Sequence, residues 1–196
     1  NNAGVSTGGP VWDCTPEDWA WVLGVNLNGV FNGVRSFAPL LIEQGEGHIV
    51  NTASMAGLTS PPFMAAYNVS KHAVVALSET LFADLTLTGA SGVGVSVLCP
   101  GWVQTRIHEA GRNRPGGADE APADSQLMDY VAGLIASGLD PAAVADLVVD
   151  AIRARRFYIL THPDWTPMIS GRVDRIVEGR DPDSSLTFVQ SPSAPA

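Results

Sequence analysis

Positive charge is scarce in this sequence. Lysine and arginine together number 11 against 20 aspartates and glutamates, which gives a formal net charge of -9. The one basic cluster, Arg153–Arg156, is predicted to lie at the end of a helix, where cations interact favourably with the helix dipole. Because a nucleic-acid backbone requires a concentrated basic patch, the composition argues against a nucleic-acid partner.

Long apolar runs and metal-binding patterns are also missing. No run approaches the roughly 20 apolar residues that a membrane-spanning helix needs, so no membrane partner is expected. The two cysteines, Cys14 and Cys99, show no motif spacing, and Cys99 falls in a predicted strand. They are expected to be reduced thiols of a cytoplasmic protein. The four histidines lack ligand spacing, so no metal site is predicted.

The apolar content of 45% over 196 residues suffices for one globular domain with a buried core. Apolar runs predict strands at 48–52, 93–99 and 156–160. The run at 93–99 is almost continuous, which is typical of a parallel strand covered on both faces. Amphipathic patterns predict helices before, between and after these strands, at 15–44, 62–88, 125–137, 140–152 and 164–177.

The predicted helix at 15–44 carries one polar residue in its apolar stripe. Thr15 and Pro16 are typical of a helix start. The stripe comprises Trp19, Val22, Leu23, Asn26, Leu27, Val30, Phe31 and Val34. A buried asparagine needs hydrogen-bond partners. Asn26 therefore either ties this helix to a neighbouring segment or belongs to a functional site, and the pattern leaves both interpretations open.

The stretch from Ser54 to Lys71 contains the strongest chemical signal. Tyr67 and Lys71 are four residues apart on a predicted helix that Pro61 and Pro62 open, so they share one face. An ammonium beside a phenol is expected to lower the pKa of the phenol toward neutrality, and the hydroxyl of Ser54 could hold a reacting oxygen. The alternative is a solvated lysine beside a half-buried tyrosine. Lys71 is the only lysine in the chain, which favours a specific use of its compact charge.

Several ordered motifs resemble those of the classical short-chain dehydrogenase/reductase family. Ser54, Tyr67 and Lys71 match its active-site spacing, and the resemblance runs from residue 1 to about residue 162. The other matching stretches are Asn1-Asn2-Ala3-Gly4, Val25-Asn26-Leu27 and Pro100-Gly101-Trp102-Val103-Gln104-Thr105. The resemblance implies an α/β fold with a doubly wound, Rossmann-like parallel sheet. It also implies a hydride transfer between a nicotinamide cofactor, NAD or NADP, and a small secondary alcohol or ketone.

The resemblance assigns roles to individual residues. Tyr67 is expected to be the general acid/base, Lys71 to lower its pKa and hold the nicotinamide ribose, and Ser54 to anchor the substrate oxygen. Asn26 is expected to be the fourth catalytic residue, through a water on its backbone carbonyl. The remaining cofactor contacts that the resemblance implies are Asn2, Ala3, Gly4, Pro100, Gly101, Val103 and Thr105.

The same resemblance predicts that the first strands of the fold and its glycine-rich turn precede this chain. No G-x-G-x-x-G or T-G-x-x-x-G-x-G pattern occurs in the sequence. About 80–90 upstream residues are expected at about 30 residues per βαβ unit. Residues 1–180 would then form a partial dinucleotide-binding and catalytic domain that is inactive in isolation. The segment 106–139 is expected to be a substrate lid and 181–196 a disordered tail. The helix at 62–88 is expected to form the interface of a homodimer or homotetramer.

Other classes fit the sequence less well. A serine hydrolase needs its serine on a G-x-S-x-G elbow, and the neighbours of Ser54 include neither glycine. An epimerase or dehydratase that uses the same tyrosine and lysine typically has a larger C-terminal region. A non-catalytic sensor or scaffold with a dinucleotide-binding fold is the main alternative, although such proteins usually lose the tyrosine or the lysine.

Overall fold

A parallel three-stranded sheet in the order β1-β2-β3 lies at the centre of the protein. The structure is a computed structural model that describes residues 1–116 and 125–183, with residues 125–128 described by their backbone alone. The strands are β1 (Gly47–Thr52), β2 (Val93–Cys99) and β3 (Tyr158–Leu160). All seven residues of β2 are buried, because helices cover both faces of the sheet. This architecture confirms the predicted α/β class and matches a Rossmann-like fold.

The predicted strands agree with β1 and β2 to within one residue, whereas β3 begins two residues later than predicted. Arg155 has a φ of +51°, and this left-handed conformation turns the chain before the strand. The carbonyl of Phe157 nevertheless accepts a hydrogen bond of 2.8 Å from the Val97 N–H, so pairing with β2 starts just ahead of Tyr158.

The predicted helix at 15–44 exists over its whole length but changes its hydrogen-bonding pattern in the middle. It consists of α1 (Pro16–Leu23), a π-turn (Gly24–Asn28) and α2 (Gly29–Gln44). Thr15 caps α1 as predicted, because its hydroxyl oxygen accepts the Asp18 N–H at 3.0 Å. A π-turn adds a residue to one turn and rotates the helix face that follows. Phe31, predicted to lie in the buried stripe, is exposed, as is Trp19.

The long helix that carries Tyr67 and Lys71 is α3 (Ala65–Leu87). The prediction that it begins at Pro62 was wrong, because Phe63 has a φ of +63°, which no right-handed helix contains. Pro62 and Phe63 form a turn instead. The Asn68 side chain fixes this turn by donating from Nδ2 to the Pro61 carbonyl at 2.6 Å.

Alternate side chains of β2 build two core layers. Val97 and Cys99 pack with Val74 of α3 on one face, and Leu98 packs with Val144 on the other. The remaining α-helices of the described residues are α4 (Ser125–Ala136), α5 (Pro141–Arg153), which carries Val144, and α6 (Thr166–Val177).

The predicted helices at 125–137, 140–152 and 164–177 correspond to α4, α5 and α6, although α6 begins two residues later than predicted. Residues 117–124 of the predicted lid and 184–196 of the predicted tail lie outside the described residues. Within residues 1–116 and 125–183, no helix is long and apolar enough to span a bilayer.

Candidate active site

Ser54 lies just beyond the carboxyl end of β1, beside the end of β2. Backbone hydrogen bonds join the two strand ends: the Ala53 N–H donates to the Leu98 carbonyl at 2.7 Å, and the Met55 N–H donates to the Pro100 carbonyl at 2.9 Å. The Ser54 hydroxyl accepts a hydrogen bond from the Ala56 N–H at 3.1 Å and donates to the Pro100 carbonyl at 3.4 Å. Because ligands of open α/β sheets bind at the carboxyl ends of strands, Ser54 stands where a substrate would be expected.

Tyr67 and Lys71 lie together on the face of α3 that meets this end of the sheet. The Lys71 Nζ lies 5.5 Å from the centroid of the Tyr67 ring. The Lys71 side chain is only 3% exposed, and its Nζ donates a 2.9 Å hydrogen bond to the Thr52 carbonyl at the end of β1. The Ser54 side chain is close enough to Tyr67 to lower the pKa of its phenol. The structure therefore brings together the three side chains that the sequence singled out.

The electrostatics of this cluster are dominated by burial. Removal from water lowers the pKa of Lys71 from its ordinary value of 10.5 to about 8, with the nearby Cys99 opposing the shift. Burial raises the pKa of Tyr67, and the interaction with Ser54 opposes that change only in part. The prediction that the pKa of Tyr67 lies toward neutrality was therefore wrong for this structure, because burial disfavours the charged phenolate.

Asn26 lies at the π-turn and is fully buried. Its Oδ1 accepts the Val5 N–H at 2.8 Å, and its Nδ2 donates to the Val5 carbonyl at 2.9 Å and to the Ser70 hydroxyl at 3.0 Å. A Cβ added to Gly4 would lie 3.7 Å from both Asn26 Oδ1 and Lys71 Nζ. The asparagine side chain thus ties the N-terminal loop to α3 beside the lysine, and both interpretations left open by the sequence are compatible with its position.

Sequence reasoning missed Ser70, which joins Asn26 to the turn that carries Tyr67. Ser70 is fully buried, and its hydroxyl donates to the Tyr67 carbonyl at 2.7 Å while accepting from Asn26. The only signal in the sequence was its position directly before Lys71. The Thr52 carbonyl was also missed, since a backbone acceptor leaves no signal in residue identity.

The two N-terminal residues run beside β1. The Asn1 carbonyl accepts the Thr52 N–H at 2.9 Å, and the Asn2 Oδ1 accepts the Thr52 hydroxyl at 3.0 Å. Ala3 is exposed beside them. Asn2, Ala3 and Gly4 therefore connect the end of β1 to the surroundings of Lys71.

The predicted cofactor residues after β2 lie in different environments. The Gly101 N–H donates to the Thr161 hydroxyl at 3.2 Å, and a Cβ at Gly101 would lie 2.7 Å from His162 Nδ1, so this close approach requires glycine. Val103 packs in the cluster around Leu98 rather than with Ser54 and Lys71. The Thr105 side chain is exposed.

Neither a disulfide nor a metal cluster accompanies this site. Cys14 and Cys99 are free thiols, and burial raises the pKa of Cys99 to about 12. In the part of the chain that the structure describes, no group of three or more histidine, cysteine, aspartate or glutamate residues is placed to hold a metal ion.

The fold agrees with the comparisons with known proteins. The sequence model described as short chain dehydrogenase matches residues 1–115. The chain therefore belongs to the short-chain dehydrogenase family. Its relatives include a CLA biosynthesis dehydrogenase/reductase of Lactiplantibacillus plantarum, which is 35% identical over 192 residues, covering 93% of this chain and 66% of the relative. A C alpha-dehydrogenase of Sphingobium sp. strain SYK-6 is 30% identical over 188 residues, covering 94% of this chain and 61% of the relative.

A solved structure extends this similarity to three dimensions. It is a short-chain dehydrogenase/reductase from Burkholderia phymatum in complex with NAD, with a TM-score of 0.89 and 48% sequence identity. The match covers 94% of this chain and 68% of that protein. The chain thus spans about two thirds of the length of these relatives.

Proposed function

We propose that this chain carries the catalytic residues of an NAD- or NADP-dependent oxidoreductase that interconverts a secondary alcohol and its ketone. The observation that carries the proposal is the convergence of Ser54, Tyr67 and Lys71 at the carboxyl ends of β1 and β2. The Burkholderia relative binds NAD, and its similarity supports a nicotinamide cofactor for this chain.

The residues around Lys71 fit such a cofactor chemically. An ammonium has three N–H donors, and the Thr52 carbonyl accepts from one of them, so the others can donate to ribose hydroxyls. Gly4 adds no side chain beside Nζ, and the backbone from Asn2 to Gly4 and from Pro100 to Gly101 would line the bound cofactor. The nicotinamide would supply a hydride acceptor for alcohol oxidation and a hydride donor for ketone reduction.

The chain's own residues would manage the proton. In alcohol oxidation, Tyr67 in its phenolate form would take the hydroxyl proton of the substrate. In ketone reduction, the Tyr67 phenol gives that proton to the carbonyl oxygen. Ser54 would donate a hydrogen bond to the substrate oxygen in both directions. The Lys71 charge would have to offset the burial that raises the pKa of Tyr67 for the phenolate to form near neutral pH. The backbone carbonyl of Asn26 would bind a water through which this proton exchanges with solvent.

The test is substitution of Tyr67 by phenylalanine in the protein expressed from its intact gene. Tyr67→Phe should abolish turnover of a secondary alcohol while leaving the binding of reduced cofactor nearly unchanged, since the ring remains and only the proton carrier is lost. Tyr158→Phe is the matched control, because the Tyr158 hydroxyl donates to Glu79 on the surface. Turnover is followed by absorbance and cofactor binding by fluorescence. Wild-type rates in the Tyr67 variant would contradict the proposal, and cofactor binding without turnover in the wild type would favour a sensor or scaffold.

We further propose that the protein acts as a homodimer or homotetramer in the cytoplasm. Val69, Phe82 and Leu87 of α3 are exposed apolar residues that a second copy could cover. The free thiols are consistent with a reducing compartment. Light scattering of the purified protein tests the assembly, and a monomeric mass at micromolar concentration would contradict it.

A further inference from the structure

Phe63 holds a backbone conformation that normally requires glycine. Its φ of +63° lies in the left-handed region, where a Cβ clashes with the following carbonyl. Six glycines of the described chain have positive φ, and among its other residues only Phe63 and Arg155 do. Glycine would relieve the strain at position 63, so the backbone conformation does not explain why this residue is a phenylalanine.

Contacts on both sides of Phe63 fix this conformation. The Phe63 carbonyl accepts a 2.9 Å hydrogen bond from the Gly9 N–H, and Gly9 also forms a bridge with Met64. Asn68 holds the Pro61 carbonyl on the preceding side. Strained conformations persist where their surroundings over-determine them, and they cluster at active sites and ligand clamps.

The ring of Phe63 does not stabilise the core. The side chain is 46% exposed, and it is absent from the buried clusters formed by the described residues. A single exposed aromatic residue is common on protein surfaces. An exposed aromatic residue on a strained and firmly held backbone is not explained by packing.

Phe63 stands in the segment that joins Ser54 to Tyr67, four residues before the tyrosine. Its carbonyl is bound by the loop that continues from Gly4, so the residue lies between the N-terminal loop and the start of α3. We propose that Phe63 is a specificity residue whose ring contacts an apolar substituent, aryl or bulky alkyl, of the ketone or alcohol. This inference rests on the proposed function.

The experiment measures ketone affinity in the Tyr67→Phe background, with NADH present, by NMR titration of acetophenone and of acetone. Phe63→Ala and Phe63→Gly should each weaken acetophenone binding by about tenfold or more, the size of effect expected for a lost apolar contact, and change acetone binding by less than about twofold. Phe63→Leu should retain most of the acetophenone affinity. Phe31→Ala, which truncates a phenylalanine of similar exposure on α2, should change neither affinity.

The alanine and glycine variants separate the ring from the backbone. Both remove the ring, but only glycine removes the Cβ, so Phe63→Gly should unfold at a higher urea concentration than Phe63→Ala. Unchanged acetophenone affinity in both variants, or a loss in only one of them, would overturn the assignment of the ring as a substrate contact. Failure of the proposed function has a different signature, because Tyr67→Phe would then reduce acetophenone at the wild-type rate whatever the Phe63 variants bind.

Discussion

Replacement of Lys71 by methionine should make the protein more stable at neutral pH. Lys71 is 3% exposed, and its charge is compensated by the Thr52 carbonyl rather than by a carboxylate. A pKa lowered from 10.5 to about 8 means that keeping the buried amine charged costs about 3 kcal/mol. Methionine has a similar shape and no charge, and it gives up one hydrogen bond of about 1 kcal/mol. The expected net gain in the free energy of unfolding at pH 7 is therefore about 2 kcal/mol.

The stability difference between the wild type and Lys71→Met should also change with pH, in a direction set by the pKa of Lys71. Between pH 8 and 10.5 the unfolded lysine still binds its proton while the folded lysine has lost it, so the unfolded state binds more protons. The stability of the wild type relative to Lys71→Met must then rise with pH across this window. The methionine variant should lose its advantage of about 2 kcal/mol above pH 8, and near pH 10.5, where the cost of about 3 kcal/mol has gone, the wild type should be the more stable by about 1 kcal/mol.

Urea unfolding of the wild type, Lys71→Met and Lys71→Arg at several pH values provides the assay. The arginine control keeps a charge that burial cannot remove, so it should not gain stability. Because Lys71 is the only lysine, isotopic methylation of the chain would give a single lysine side-chain signal whose titration reports the pKa directly. A methionine variant less stable than the wild type at pH 7, or a constant difference from pH 8 to 10.5, would refute the reasoning.

Two further substitutions test the contacts around the site by urea unfolding. Gly57→Ala should lower the free energy of unfolding by about 1–3 kcal/mol, because the new Cβ would lie 2.6 Å from the Lys71 carbonyl oxygen. Gly111→Ala is the control and should be nearly neutral, because its new Cβ enters open space. Equal effects of the two substitutions would contradict the clash. Asn26→Leu should cost about 3 kcal/mol or more, since both Val5 backbone groups lose their buried partner. The exposed substitution Asn32→Leu should stay within about 0.5 kcal/mol, and a similar value for Asn26→Leu would contradict its structural role.

The features that sequence predicted well are those encoded by neighbouring residues. β2 is an apolar run between Gly92 and Pro100, and β1 follows the turn at Gly45 and contains Ile49 and Val50. The predicted bounds of both strands were correct to within one residue. Thr15 begins its helix because a hydroxyl oxygen accepts an N–H of the first turn, a local interaction that residue type reveals. The four-residue spacing of Tyr67 and Lys71 likewise predicted that they lie on the same face of a helix.

The features that sequence predicted poorly depend on distant parts of the chain. Phe63 turns left-handed where Gly9 and Asn68 hold the adjacent backbone, so the helix starts later than the prolines suggested. The pKa of Tyr67 rises because burial disfavours its charged form, and four-residue spacing alone contains no measure of that burial. The partners of Asn26 are likewise set by tertiary structure.

The π-turn at Gly24–Asn28 limits which single-residue deletions this helix can tolerate. Deleting one residue there would let ordinary α-helical hydrogen bonds form throughout, which locally is the more favourable backbone. The deletion would also swing Asn26 away from Val5 and turn every later side chain of α2 by about 100°. Related proteins with one residue fewer in this helix should therefore lack an asparagine at the position of Asn26, and those that retain the asparagine should also retain the extra residue.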